Sequence, residues 1–141
     1  MPLNPRIRID LHTFRPLGGV VACSATMTIE EPANNSITLD GKNVRIRRPR
    51  DGEDADLDLS FLLNAQSHLL LGITLTREDG AAVSQAEFPR VEIVTENGDR
   101  RLTICDMRQT VANYDYAILV QEVGTGLVGL IDPEIENTNQ E

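Results

Sequence analysis

RIRIDL, residues 6–11, alternates charged and aliphatic side chains one by one. On a helix of 3.6 residues per turn, Ile7 and Ile9 would fall on opposite sides of the cylinder. On an extended chain Ile7, Ile9 and Leu11 share one face and the charges share the other. The stretch therefore reads as a half-buried strand.

The same period of two returns along the chain. Val21, Cys23, Ala25, Met27 and Ile29 alternate with small or polar residues. Ser36 to Leu39 runs into the turn pair Asp40-Gly41, and Val44-Arg45-Ile46-Arg47 leaves it. Leu69, Leu71, Ile73 and Leu75 are expected on one face, with Gly72, Thr74 and Thr76 on the other. Val91 to Thr95 and Arg100 to Cys105 flank Glu96-Asn97-Gly98-Asp99. Asn-Gly tolerates the positive φ angles of a tight hairpin turn. Tyr116 to Val120 and Leu127 to Ile131 form a second hairpin around Gly124-Thr125-Gly126.

No segment keeps apolar residues at i, i+3, i+4 and i+7 over three turns, although Leu57 to Leu71 is ambiguous. Short strands separated by turn residues every eight to twelve positions predict an all-β fold. The expected architecture is an antiparallel immunoglobulin-like β-sandwich of about seven to nine strands. Residues 1–141 are expected to form a single domain with a short polar tail at 134–141. Tyr116 precedes Ile118 as a tyrosine precedes the second cysteine of an immunoglobulin domain, where its hydroxyl ties back to the preceding loop. The chain has no Trp, and Ile118 stands where that cysteine would be.

Composition narrows the function classes. A net charge of −9 opposes binding to nucleic acid, whose phosphates attract basic surfaces. No apolar run approaches the roughly 20 residues that cross a bilayer as a helix. The opening MPLNPRIRIDLHTF has two prolines and no continuous apolar stretch, so a cytoplasmic location is expected. The charge is unevenly spread. Residues 1–50 carry eight Lys and Arg against four Asp and Glu, whereas residues 51–141 carry five against eighteen. Cys23 and Cys105 lie far apart with no neighbouring Cys or His, which excludes metal-ligand spacing and favours two reduced thiols.

Three groups of residues are candidates for chemistry. Asp51, Glu53, Asp54, Asp56 and Asp58 form an acidic loop of the oxygen-ligand type that calcium uses, and Asp54, Asp56 and Asp58 would share a face on a strand. The spacing fails as an EF-hand, because neither Asp51 nor Asp54 finds glycine or glutamate at the required offsets. Arg45, Arg47, Arg48 and Arg50 form a basic run that could hold an anion or support association. Arg45 and Arg47 are expected on one exposed face, with the acidic loop supplying counter-charges. His12 and His68 are the only histidines. His68 follows Ser67, but neighbours on a strand point to opposite faces, so a hydrolase built on His68 is the exception rather than the expectation. No phosphate loop, nucleophile elbow or cofactor signature is present.

The closing segment runs from Tyr116–Val120 through Gly-Thr-Gly to Asp132-Pro133-Glu134-Ile135-Glu136-Asn137. It resembles the end of small bacterial proteins of the DP-EP family and, more distantly, of AidA/PixA inclusion-body-type proteins. Glu31-Pro32 is compatible with that likeness. The resemblance implies a compact β-sandwich without an established catalytic activity, and it transfers no functional residues. The expected function is therefore non-enzymatic, without a cofactor, acting by self-association or by binding another protein. The alternative is a calcium- or small-ligand-binding module using loop 51–58.

Overall fold

A computed structural model describes residues 2–96, 99–132 and 134–138. Among these the chain forms strands and turns without a helix. The strands are β1 (Arg6–Leu17), β2 (Val20–Glu31), β3 (Ile37–Asp40), β4 (Asn43–Ile46), β5 (Leu57–Leu63) and β6 (His68–Arg77). They continue with β7 (Arg90–Glu96), β8 (Asp99–Asp106), β9 (Ala112–Glu122), β10 (Val128–Ile131) and β11 (Glu134–Asn137). The count exceeds the expected seven to nine because four-residue segments such as β3 and β10 pair as strands in their own right.

One sheet has the order β2-β1-β5-β8-β7; the other runs β10-β9-β11-β4-β3, with β6 on the opposite side of β9. Two pairings, β1 with β5 and β11 with β4, are parallel, so the sheets are mixed rather than antiparallel throughout. Parallel neighbours need a long crossover. Between β1 and β5 the chain supplies one by running through β2 and the β3–β4 hairpin.

Both sheets contribute to one apolar cluster. Ile7, Ile9, Leu57, Leu59, Phe61, Leu102 and Ile104 enter it from the first sheet, and Val44, Ile46, Ile118, Val120, Ile131 and Ile135 from the second. Each fully buried aliphatic or Phe side chain contributes about 1.5–3 kcal/mol relative to exposure. Ile7 and Ile9 are buried in this cluster, as the alternation of residues 6–11 requires. Leu11, beyond the last β5 pair, packs against it partly buried.

Several local expectations are corrected. Leu71 is exposed, because a bulge shifts the β6–β9 register between Leu70 and Gly72. An extra residue reverses which parity faces inward: Leu70 is buried before the bulge, and Ile73 and Leu75 pack on the core after it. His12 lies at a similar register shift in β1, beyond Ile9, the last β1 residue paired with β5. Tyr116 does not tie back to a loop; its hydroxyl faces Met27 Sδ at 3.8 Å, and burial raises its pKa well above the ordinary value. Residues 134–137 are not a tail. Ile135 is fully buried, and β11 pairs antiparallel with β9 and parallel with β4. β10 and β11 keep one register along β9, so the chain resumes the same strand after Asp132.

The two glycine hairpins form as expected. Gly41, at φ 63°, turns β3 into β4, and Gly126, at φ 74°, lies in the turn from β9 to β10. The Asn97-Gly98 turn lies outside the described residues, but Glu96 and Asp99 on either side of it are paired.

Candidate functional site

The β1–β2 hairpin is longer than the sheet that carries it. β1 pairs with β5 only from Arg6 to Ile9, while its pairing with β2 continues to Leu17 and Val20. The distal half is therefore a two-stranded ribbon, which is marginal in water without further packing. β10 supplies that packing. An added Cβ at Gly129 would stand 2.8 Å from Phe14 Cε2, 3.2 Å from Val21 Cγ1 and 3.4 Å from Cys23 Cβ. Side chains of the ribbon fill the space beside Gly129, and a methyl group there would require the Phe14 ring to move.

The ribbon and the β9–β10 hairpin together carry most of the exposed large hydrophobic residues described. Leu17 is 59% exposed, Val20 68% and Val123 59%, with Val128 and Leu130 also open. These are five of the eight large hydrophobic residues exposed among the described residues. Isolated exposed aliphatics are ordinary, whereas these five fall on two touching hairpins. Among the described residues β10 pairs only with β9, and a sheet edge can accept another strand.

His68 sits beside this region. Its ring meets Phe14 edge-on at 4.6 Å between centroids. Ser67 Oγ lies 2.9 Å from His68 Nδ1, contrary to the expectation that the two side chains diverge. The reason is local: β6 begins at His68, and Ser67 belongs to the preceding turn. Glu122 Oε2 is 3.6 Å from Nε2, beyond ordinary hydrogen-bond length. The Ser67 carbonyl accepts a bond from Val123 N, which holds the β5–β6 turn against the β9–β10 turn. His12 is remote in chain terms and bonds Thr26 Oγ1 instead.

At the base of the β3–β4 hairpin the polar residues close on each other. Arg45 is exposed and pairs with Asp40 at 3.5 Å. Arg47 does not share its face; it lies just past the strand end and is buried. A buried guanidinium must place five N–H donors. Arg47 Nε donates to Asn35 O, Nη1 to Arg48 O and Glu53 Oε1, and Nη2 to Asn34 O and Glu53 Oε2, all within 2.8–3.1 Å. The carbonyls of Asn34 and Asn35 converge because Ala33, Asn34 and Asn35 all adopt positive φ. Asn tolerates that region through its short polar side chain, whereas Ala33 at 46° is strained.

Arg108 completes the cluster, and the sequence reading missed it. It too is buried, with φ 55°, and its amide donates to Asp106 Oδ1. Nε donates to Ala55 O at 2.8 Å and Nη2 to Asp54 O at 2.5 Å. Nη1 reaches Glu53 Oε1 at 3.5 Å. The Arg47 fork holds the Glu53 carboxyl at about 2, against an ordinary 4.5, with burial opposing. Burial is also what lowers Arg108. An isolated Met107-Arg108-Gln109 offers no pattern from which burial could be read; only the fold brings it to Glu53.

The acidic loop is therefore tied to arginines. Glu53 pairs with Arg47 and Arg108, and Asp58 with Arg90 at 2.8 Å. Asp54 and Asp56 precede β5 in a bend, so they do not share a strand face with Asp58. Asp51 is exposed in the turn. Among the described residues no group of three or more His, Cys, Asp or Glu is placed to hold a metal ion. Arg48 and Arg50 are exposed beside the cluster. Cys23 and Cys105 are free thiols, and burial pushes Cys105 up to about 11.

No family model matches the chain, and no curated protein matches it. Among solved structures, it is similar to the crystal structure of an inclusion body protein, PixA, from Burkholderia cenocepacia J2315. The TM-score is 0.54 over 97% of this chain and 96% of that chain, at 6% identity. Such a likeness concerns the fold. It extends over both sheets, beyond the closing segment whose sequence suggested it. No helix among the described residues is long and apolar enough to cross a membrane.

Proposed function

We propose that this chain is a non-enzymatic, single-domain β protein of the bacterial cytoplasm that acts by association with copies of itself. The carrying observation is the concentration of Leu17, Val20, Val123, Val128 and Leu130 on two hairpins locked together at Gly129. The description of the structural neighbour as an inclusion body protein supports the same reading. So does the likeness of the closing segment to DP-EP proteins. The acidic loop serves as counter-charge for Arg47, Arg108 and Arg90 rather than as a calcium cage.

Analytical ultracentrifugation over a range of concentrations tests this. The wild-type chain should sediment as a dimer or larger, and Val20→Glu with Leu130→Glu should shift it to monomer. The shift should not depend on calcium or EDTA. A wild type that stays monomeric at every concentration, or a double variant that associates unchanged, would overturn the reading.

The Ser67–His68 contact is the one observation favouring a second reading, a hydrolase. Turnover of an activated ester that disappears in both Ser67→Ala and His68→Ala would establish it.

A further inference from the structure

The inner face of the second sheet buries Tyr116, Ile118 and Val120 of β9, so the alternate residues Ala117, Leu119 and Gln121 point away from the core. Register carries that outward direction to both neighbours. On β10, Leu130 stands opposite Leu119 and Val128 opposite Gln121. On β6, Gly72 stands opposite Leu119 and Thr74 opposite Ala117, with Leu71 exposed in the bulge. This outer face is free of charge. Residues 69–76, 116–121 and 127–131 contain no Asp, Glu, Lys or Arg, although 25% of the chain is charged. Its amide, Gln121, donates from Nε2 to Gly126 O at 3.1 Å within the same hairpin, which lowers the cost of covering it. The face is also uneven. A Cβ built on Gly72 would meet nothing within 4 Å, whereas the Leu130 side chain is exposed. A dent and a knob therefore lie on either side of Leu119, one strand spacing of about 5 Å away in each direction.

We infer that two copies of this chain pack outer face to outer face, with Leu130 of each copy seated over Gly72 of the other. A two-fold axis along β9, in the plane between the copies, produces that match. It lays β10 of one copy over β6 of the other and sets Leu119 against Leu119. Sheets stacked about 10 Å apart interdigitate aliphatic side chains and have no room for hydrated charge. A second copy is the occupant because the face complements itself, knob to dent. Two chains of net charge −9 repel, and here they meet without apposing carboxylates. An anionic lipid surface would find no Lys or Arg in the three segments to hold it. The inference rests on self-association and names the surfaces that meet.

Sedimentation of the wild type and three variants over one concentration range tests it. Gly72→Leu fills the dent and Leu130→Ala removes the knob, and each should raise the dissociation constant at least about tenfold. Gly72→Leu should keep the wild-type circular dichroism, because its side chain enters open space. Combining the two substitutions moves the leucine from one side of the contact to the other. The double variant should therefore associate at least about fivefold more tightly than Gly72→Leu alone, a recovery that misfolding cannot produce. A wild type that stays monomeric at every concentration overturns self-association and the inference together. A wild type that associates while Gly72→Leu associates unchanged, or a double variant no tighter than Gly72→Leu, overturns the inference alone and leaves self-association to the hairpin tips. A monomer that floats with phosphatidylcholine vesicles would give the face to lipid and overturn it as well.

Discussion

The β3–β4 and β1–β2 hairpins are written in the same alternating code, yet they finish in opposite ways. At the base of β3–β4, Arg47, Glu53 and Arg108 match donors to acceptors in a buried cluster. β11 locks the hairpin into its sheet. At the tip of β1–β2, Leu17 and Val20 face water, and β10 is packed against the ribbon behind them. A buried polar group must find its partners within the molecule, because desolvation without a partner is costly. An exposed aliphatic side chain carries no such requirement, so a surface can leave it for a second copy. One hairpin is closed chemically; the other is open.

The contrast is sharpest when a partner is removed at the closed end. Arg47→Met should destabilise the fold by about 3–5 kcal/mol in urea unfolding, because the half-enclosed Glu53 carboxylate and the carbonyls of Asn34, Asn35 and Arg48 lose their donor. A loss under about 1 kcal/mol would mean that water replaces the guanidinium and the cluster is not closed.

Acid probes the same pair. Glu53 is held at about 2 in the folded chain against 4.5 ordinarily, so its carboxylate stabilises the fold fully above about pH 4.5. That contribution is lost as pH falls toward 2. The unfolding midpoint should therefore drop over this window in the wild type and drop less in Glu53→Gln. Parallel profiles would remove Glu53 as the cause.

At the open end, Gly129→Ala drives a methyl group into Phe14, which should cost about 1–3 kcal/mol. Phe14→Leu in the same chain should recover part of the loss, measured by the same unfolding curves. If Gly129→Ala is neutral, the two hairpins are not in tight contact and the proposed self-association loses its support.

The smallest effect is expected at the tip. Leu17→Glu and Val20→Glu should each leave unfolding free energy within about 0.5 kcal/mol, since neither side chain is buried. A large loss on dilute monomer would place these residues in a fold contact.

Strand content was legible because alternation follows directly from pleat geometry: Ile7, Ile9, Val44, Ile46 and Ile118 are buried as their parity predicts. Leu71 was not, because a bulge leaves no mark in an apolar run. Ile135 was hidden for another reason. Its neighbours Glu134 and Glu136 make the segment polar on average, and a strand with one buried residue looks like a tail. Half of the arginine cluster was visible as the run 45–50, and its link to the acidic loop was anticipated. Arg108 was invisible, since 55 residues separate it from Glu53.

The chain's own order of residues determined that it would extend, where it would turn at Gly41 and Gly126, and that its net charge would be −9. These properties depend on neighbours a few positions apart. The tertiary structure alone decided that β11 would join β9 to β4, that Arg47 and Arg108 would share one carboxylate, and that two hairpins would meet over a glycine. Those outcomes depend on which distant strands pair and in what register, and short-range sequence periodicity carries no information about that choice.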